Sequence, residues 1–234
     1  MDLAGYPGPA GLARRDCAYT SSLCDSGRTR GQMDDIVIRA MARWPEVPAV
    51  YGWLSLDRRG QWAIKGAQHV FERVTNPKVV EFIARTYLRD AAGRWYFQNG
   101  PQQVFVALDY TPLIYRAVGT PPTGFETHCG VRAAALERVW MDESGDLLFM
   151  TGLGPGVLLD RDLPKVMESL CYADGHALDE ERLLALLEDA DDAAGIYFYS
   201  DATSLPLERL RADEAPRILG YVREPRPPAG QPEC

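Results

Sequence analysis

Four turns of one kind divide this sequence into apolar runs of strand length. Each turn has the pattern Asp-x-x-Gly, and the copies begin at Asp57, Asp90, Asp142 and Asp192. The Asp side chain can accept hydrogen bonds from the backbone that follows it, and Gly tolerates the positive φ that closes such a turn. A single copy could be an ordinary surface turn. Four copies, each followed by an apolar run, predict a set of β-hairpins in two related halves, and their irregular spacing excludes a solenoid.

A few short helices are also expected. Asn76 followed by Pro77 is typical of a helix start, since Asn caps the free N–H groups and Pro suits the first helical position. Residues 178–188 form a Leu-rich amphipathic pattern with acidic residues in the first turn. The expected fold is therefore α+β, mainly β, built from antiparallel hairpins and a few short amphipathic helices. We interpret residues 152–156 as a turn and residues 218–222 as the last strand.

The chain divides into four segments by composition. Residues 1–32 are rich in Gly, Pro, Ser and Arg and lack apolar periodicity, so we interpret them as a disordered extension before a natural start at Met33. A short helix over residues 36–44 is expected next. The segment from Gly119 to Gly124 is the strongest internal boundary signal, which gives a first subdomain at 33–120 and a second, β-rich subdomain at 121–225. Residues 226–234 are interpreted as a disordered tail.

The net charge and the cysteine count indicate which partners and which cellular compartment to expect. A net charge of −8 argues against nucleic acid and against an anionic membrane surface as partners. No run of the sequence is long enough for a membrane-spanning helix, and no N-terminal run resembles a secretory signal. The 5 cysteines are an odd number for a disulfide framework, so reduced thiols in a cytoplasmic protein are expected. A homodimer or another protein partner stays open.

Aromatic residues form the first group of candidate binding residues. They lie close together in the sequence and could line a ligand groove: Trp53, Trp62, Trp95, Tyr96 and Tyr110. Such side chains also form protein cores. For Trp95 we predict a buried core position on the same strand face as Phe97, because the turn at residues 90–93 sets its register.

Histidine and cysteine residues form the second group. His128, Cys129, Cys171 and His176 could in principle make a tetrahedral zinc site or a Cys–His nucleophile pair. Adjacent ligands in an extended chain point to opposite sides, and Cys-x4-His is not a standard zinc spacing. No metal site and no cofactor site is therefore predicted.

The chain resembles an uncharacterised proteobacterial family of unknown function. The resemblance lies in residues 93–106, with residues 62–66 before them and residues 159–163 after them, and it covers about Met33 to Pro225. More distantly, the order of elements is similar to that of another unknown-function family with a two-part α+β fold. Neither resemblance implies an activity or a catalytic residue.

The function predicted from the sequence is a cytosolic, non-catalytic binding or assembly module. The alternative is a small enzyme with a site between the two subdomains that uses Asp, His or Cys side chains. Strongly perturbed carboxylates in a polar cleft would favour the enzyme.

Overall fold

The structure is a computed structural model, and it describes residues 47–66, 68–119, 122–188, 193–200 and 203–229. The predictions for the N-terminal extension, the start at Met33 and the helix at 36–44 fall outside these residues, as do the last five residues of the predicted tail. Residues 226–229 have neither helix nor strand conformation. Among the described residues, no helix is both long enough and apolar enough to cross a membrane.

The first sheet contains six strands and one helix packed beside it. Its elements are β1 (Val50–Leu56), β2 (Trp62–Lys65), β3 (Phe71–Arg73), α1 (Pro77–Arg85), β4 (Tyr87–Arg89), β5 (Trp95–Asn99) and β6 (Gln102–Leu108). The strand order is β3-β2-β1-β6-β5-β4. β1 and β6 are parallel at the centre, and the other neighbours are antiparallel. The Asn76 side chain accepts the Lys78 N–H at 3.0 Å, which confirms the predicted N-cap of α1.

The second sheet contains eight strands. Its elements are β7 (Leu113–Ala117), β8 (Phe125–Thr127), β9 (Leu136–Met141), β10 (Leu147–Thr151), β11 (Gly154–Leu158), a 3-10 turn (Asp160–Asp162), α2 (Leu163–Met167), β12 (Leu170–Tyr172), α3 (Glu180–Glu188), β13 (Ile196–Ser200), β14 (Thr203–Arg209) and α4 (Ala215–Leu219). The strand order is β12-β13-β14-β9-β10-β11-β7-β8. The fold is thus α+β and mainly β, as predicted.

The two sheets share one topology. In the first, a three-stranded meander (β1 to β3), a short helix and a second meander (β4 to β6) place the first and last strands side by side and parallel. β9 to β11, α2 and β12 to β14 repeat this order, with β9 parallel to β14. β7 and β8 extend the second sheet beyond β11. The chain crosses from the first sheet to the second between Leu108 and Leu113, whereas Gly119 and Gly124 lie between β7 and β8, two strands of the second sheet.

The Asp-x-x-Gly turns occupy equivalent places in the two halves. Asp57 and Asp142 open the turns β1–β2 and β9–β10, and each accepts two backbone N–H groups on Oδ1. Asp90 does the same between β4 and β5. Gly195 precedes β13 with φ +77°, close to the +79° of Gly93 before β5. The turn chemistry read from the sequence is therefore also the mark of the internal repeat.

Two predicted elements differ in the structure. Residues 218–222 are not a strand, because Ala215–Leu219 form the short helix α4, which has Pro216 in its first turn and ends at Gly220, at φ +71°. Residues 154–156 are not a turn but the start of β11. A Cβ on Gly156 would lie 2.5 Å from the Leu113 carbonyl oxygen, so glycine is required there because β7 passes close beside it. β14, which contains Pro206, was not among the predicted elements.

Candidate functional site

The five aromatic residues predicted as a ligand groove do not lie on one surface. Trp62, Trp95 and Tyr110 are buried in the core, with Trp95 only 1% exposed as predicted. Trp62 and Trp95 both pack against the ring of Tyr87, at centroid distances of 5.0 and 4.9 Å. Trp53 is 37% exposed, whereas Tyr96 packs against Phe105. A ligand at the surface of the described chain could therefore reach few of these rings.

The histidine and cysteine candidates are also dispersed. Cys171 is buried in β12 and donates to the Tyr197 carbonyl at 3.6 Å. His176 is exposed beside Asp174. Within the described ranges, no group of three or more His, Cys, Asp or Glu side chains is arranged to hold a metal.

His128 is held at the point where the sheets meet. Its ring Nδ1 accepts the Ile114 backbone N–H at 3.2 Å, and the His128 backbone N–H donates to the Ile114 carbonyl at 2.8 Å. Its ring lies 5.3 Å from that of Trp62. Burial, together with the smaller effect of the positive charge of Arg116, lowers the pKa of His128 to about 3. The ring is therefore neutral near pH 7, and because Nδ1 accepts a bond, Nε2 carries the proton.

A polar cleft opens next to His128. The β1–β2 turn of the first sheet and β7, β8 and the 3-10 turn of the second sheet form its walls around a cavity of about 620 Å³. The lining residues are Arg59, Gly60, Gln61, Arg116, His128, Leu159, Asp160 and Arg161. Gly60 packs directly on His128, since an added Cβ would lie 2.7 Å from the His128 Cβ. We call this the junction cleft.

Three arginines give the junction cleft its charge. Arg59 binds Asp160 through Nε and Nη2 at 3.1 and 2.8 Å, and this contact holds the pKa of the Asp160 carboxyl below its ordinary value. Arg116 binds Glu126 at 2.6 Å. The Arg161 guanidinium makes no ion pair with any residue that the structure describes. With His128 neutral, the lining therefore carries three cations against the one carboxylate of Asp160, in a protein whose net charge is −8.

A partly buried polar cluster anchors the β1–β2 turn next to Arg59. Arg58, the neighbour of Arg59, binds Asp146 at 2.7 Å and lies 4.3 Å above the ring of Tyr110. The Tyr110 hydroxyl donates to the fully buried Asp142 at 2.7 Å. Burial raises the pKa of Tyr110, and the bond to Asp142 raises it further. Arg58 and Arg59, which are adjacent in the β1–β2 turn, thus each bind an acidic residue in the second half of the chain. These two contacts fix the position of Arg59.

No pattern in the sequence singles out the three arginines of the junction cleft. Arg59 lies in an Asp-x-x-Gly turn that its turn chemistry already explained, and Arg116 and Arg161 are separated from it by long stretches of chain. The only local signal was Asp160 followed by Arg161, and it became informative only when the sheets brought it opposite the β1–β2 turn.

Comparison with known proteins gives no activity. A family described as "Protein of unknown function (DUF2946)" matches residues 33–226. The chain is also similar to the crystal structure of a DUF1285 family protein from Silicibacter pomeroyi DSS-3, with 16% sequence identity and a TM-score of 0.45. That similarity covers 69% of this chain and 82% of the other. No curated protein matches the sequence.

Proposed function

The chain belongs to the family of proteins of unknown function described as DUF2946, and we propose that it is a binding module that holds a small anionic ligand in the junction cleft. The ligand class is a small molecule with a phosphate or carboxylate group. This proposal specifies the binding function that the sequence favoured.

The observation that carries the proposal is the convergence of Arg59, Arg116 and Arg161 on one cavity. Guanidinium groups offer several donors in a plane, which suits bidentate contacts with carboxylate and phosphate oxygens. Arg161 is the leading contact because its donors are not committed to an ion pair within the described part of the chain. Arg59 already holds the carboxylate of Asp160, and a ligand anion could replace that carboxylate on the same donors.

The protonation state of His128 favours a binding function over a catalytic one. Cys129 Sγ lies 3.5 Å from His128 Nε2. A histidine that activates a thiol must accept its proton, but Nε2 already carries one because Nδ1 accepts the Ile114 N–H. The strongly lowered pKa of His128 also makes the ring a weak base. The Cys–His pair considered for the alternative small enzyme therefore lacks its base.

We also propose a cytoplasmic location. The sequence has 5 cysteines, an odd number for a disulfide framework, and Cys171 is a free thiol buried in β12. Reduced thiols are typical of proteins kept in the cytosol. Labelling of the protein with a thiol reagent in intact cells and in cell fractions would test this location.

Calorimetric titration with inorganic phosphate and with acetate at low ionic strength tests the binding proposal. The variant Arg161→Ala should weaken binding of the better anion about fivefold to tenfold, since one solvated charge-assisted contact is worth about 1 kcal/mol. Arg85→Ala is the matched control, because it removes the same charge from the exposed end of α1, and Arg85 does not line the junction cleft.

Arg85→Ala should change the affinity less than twofold. Binding should also weaken as salt is added, because the contacts are solvent-accessible. If neither anion binds the wild-type protein, or if the two arginine variants weaken binding equally, the junction cleft is not the anion site.

A further inference from the structure

A second cavity continues the junction cleft along the second sheet. It measures about 490 Å³ and is bounded by the end of β7, by β8, by the 3-10 turn and by α2. Arg116 and Arg161 line both cavities, so the two form one elongated groove. Arg59 lines only the first cavity, and Lys165 lines only the second. The cations therefore follow the groove from Arg59 at one end, past Arg116 and Arg161, to Lys165 at the other.

The carboxylates of the second cavity are already engaged. Asp162 is 5% exposed; its Oδ2 accepts the Ala117 N–H at 3.1 Å, and its Oδ1 accepts Lys165 at 3.3 Å. Glu126 accepts from Arg116. Lys165 remains 46% exposed at its side chain. An ammonium group has three donors, so Lys165 keeps donors for a ligand while Asp162 holds it in place.

We propose that the ligand of this groove carries two anionic groups, one bound in each cavity, with Lys165 binding the second. This inference rests on the proposed function, since the first anionic group occupies the junction cleft. The ligand class is a small molecule with one anionic group at each end, such as a linear dicarboxylate or a bisphosphorylated small molecule. We call such a ligand a dianion and its counterpart with one anionic group a monoanion, counting groups and not charges. Once one end is bound, the second end is held at a high effective concentration near Lys165, which increases the overall affinity.

The test compares dianions with monoanions of the same size. Calorimetric titrations would use linear dicarboxylates of three to seven carbons, each beside the monocarboxylate of equal carbon number, and fructose 1,6-bisphosphate beside fructose 6-phosphate. At least one dianion should bind about tenfold or more tightly than its matched monoanion. The carboxylate and phosphate arms distinguish which kind of anionic group the groove accepts.

Two lysine variants locate the second group. Lys165→Gln removes the charge but keeps a donor for Asp162, and it should reduce the dianion advantage to about threefold or less while monoanion affinity stays unchanged. Lys78→Gln removes the same charge from the exposed start of α1 and should leave the advantage intact.

The failures are distinguishable. If monoanions bind in an Arg161-dependent manner but no dianion gains affinity, this inference is wrong and the proposed function stands. If a dianion gains affinity and Lys165→Gln leaves that gain unchanged, the second group does not bind in the second cavity. If none of the probes binds, both the inference and the proposed function fail.

Discussion

Alanine substitutions at Gly93 and Gly195 compare two equivalent turns in different surroundings. Both glycines precede the fifth strand of their meander pair, with φ of +79° and +77°. At Gly93 the C-terminal segment lies directly on the turn, and Val222 donates its N–H to the Gly93 carbonyl at 3.0 Å. A Cβ at Gly93 would be 2.5 Å from the Gly220 carbonyl oxygen, whereas a Cβ at Gly195 would meet no atom of the described residues within 4 Å.

The expected costs follow from these distances. Left-handed backbone costs an L-residue roughly 1–2 kcal/mol, and the stiffer unfolded chain of the alanine variant offsets roughly 0.4–1 kcal/mol of it. Gly195→Ala should therefore lower the free energy of unfolding by roughly 1 kcal/mol. Gly93→Ala introduces the same strain and also a clash between the added Cβ and backbone atoms, which cannot rotate away. This clash should cost roughly a further 1–3 kcal/mol.

Urea denaturation of the wild type and of both variants measures this difference. The comparison requires that the free energy of unfolding depends on urea concentration with the same slope in all three proteins. Thermal unfolding should show the same order, with about 2–4 °C lost per kcal/mol in a domain of this size. Equal losses for the two variants would refute the reasoning, because they would mean that residues 220–222 do not pack on the β4–β5 turn. A larger loss at Gly195 would refute it as well.

Three further predictions concern the core and the junction. Tyr110→Phe leaves the fully buried Asp142 without its hydroxyl donor and should lower the free energy of unfolding in urea by roughly 1.5–3 kcal/mol; an unchanged value would mean that water replaces the donor. Trp95→Ala should cost roughly 3–5 kcal/mol in the same assay, since the side chain is 1% exposed, and near-parental stability would contradict its core position. The pKa of His128 is about 3 in the folded protein, against an ordinary value of 6.5. As the pH falls, the unfolded chain therefore takes up a proton at this histidine before the folded protein does. The contribution of neutral His128 to the free energy of unfolding is fully present above pH 6.5 and should be lost as the pH drops toward 3. Between pH 6.5 and 4.5 the loss should stay below about 3 kcal/mol, because the His128 side chain is partly exposed. His128→Asn should flatten this dependence, and an unchanged slope in that variant would contradict the assignment.

Local signals in the sequence determined much of the fold. The turns at Asp57, Asp90 and Asp142 form as predicted because the hydrogen bonds that define them join residues only two to four positions apart. Asn76 caps α1 for the same reason. The class of fold and the presence of two related halves followed from these turns and from the apolar runs between them.

Where local signals competed, only the tertiary structure decided the outcome. β14 was not predicted, and it forms around Pro206 because β13 and β9 pair with this strand on either side. Residues 218–222 read as a strand by composition, but the capping conformation of Gly220 ends a helix there. In both cases contacts or backbone geometry outweighed a residue's average preference.

The junction cleft also depended on tertiary structure. Arg59 and Asp160 are 101 positions apart, and no periodicity or spacing in the sequence links them. Arg59 and Asp160 meet because the β1–β2 turn of the first sheet lies beside the end of β11. The ion pair between Arg58 and Asp146 holds the turn in this position. A charge in the chain becomes part of a site only when the fold sets its distance to other charges, since electrostatic energy depends on separation in space. The sequence by itself therefore determined the turns and the class of fold, whereas the packing of the two sheets determined which of its arginines face one another.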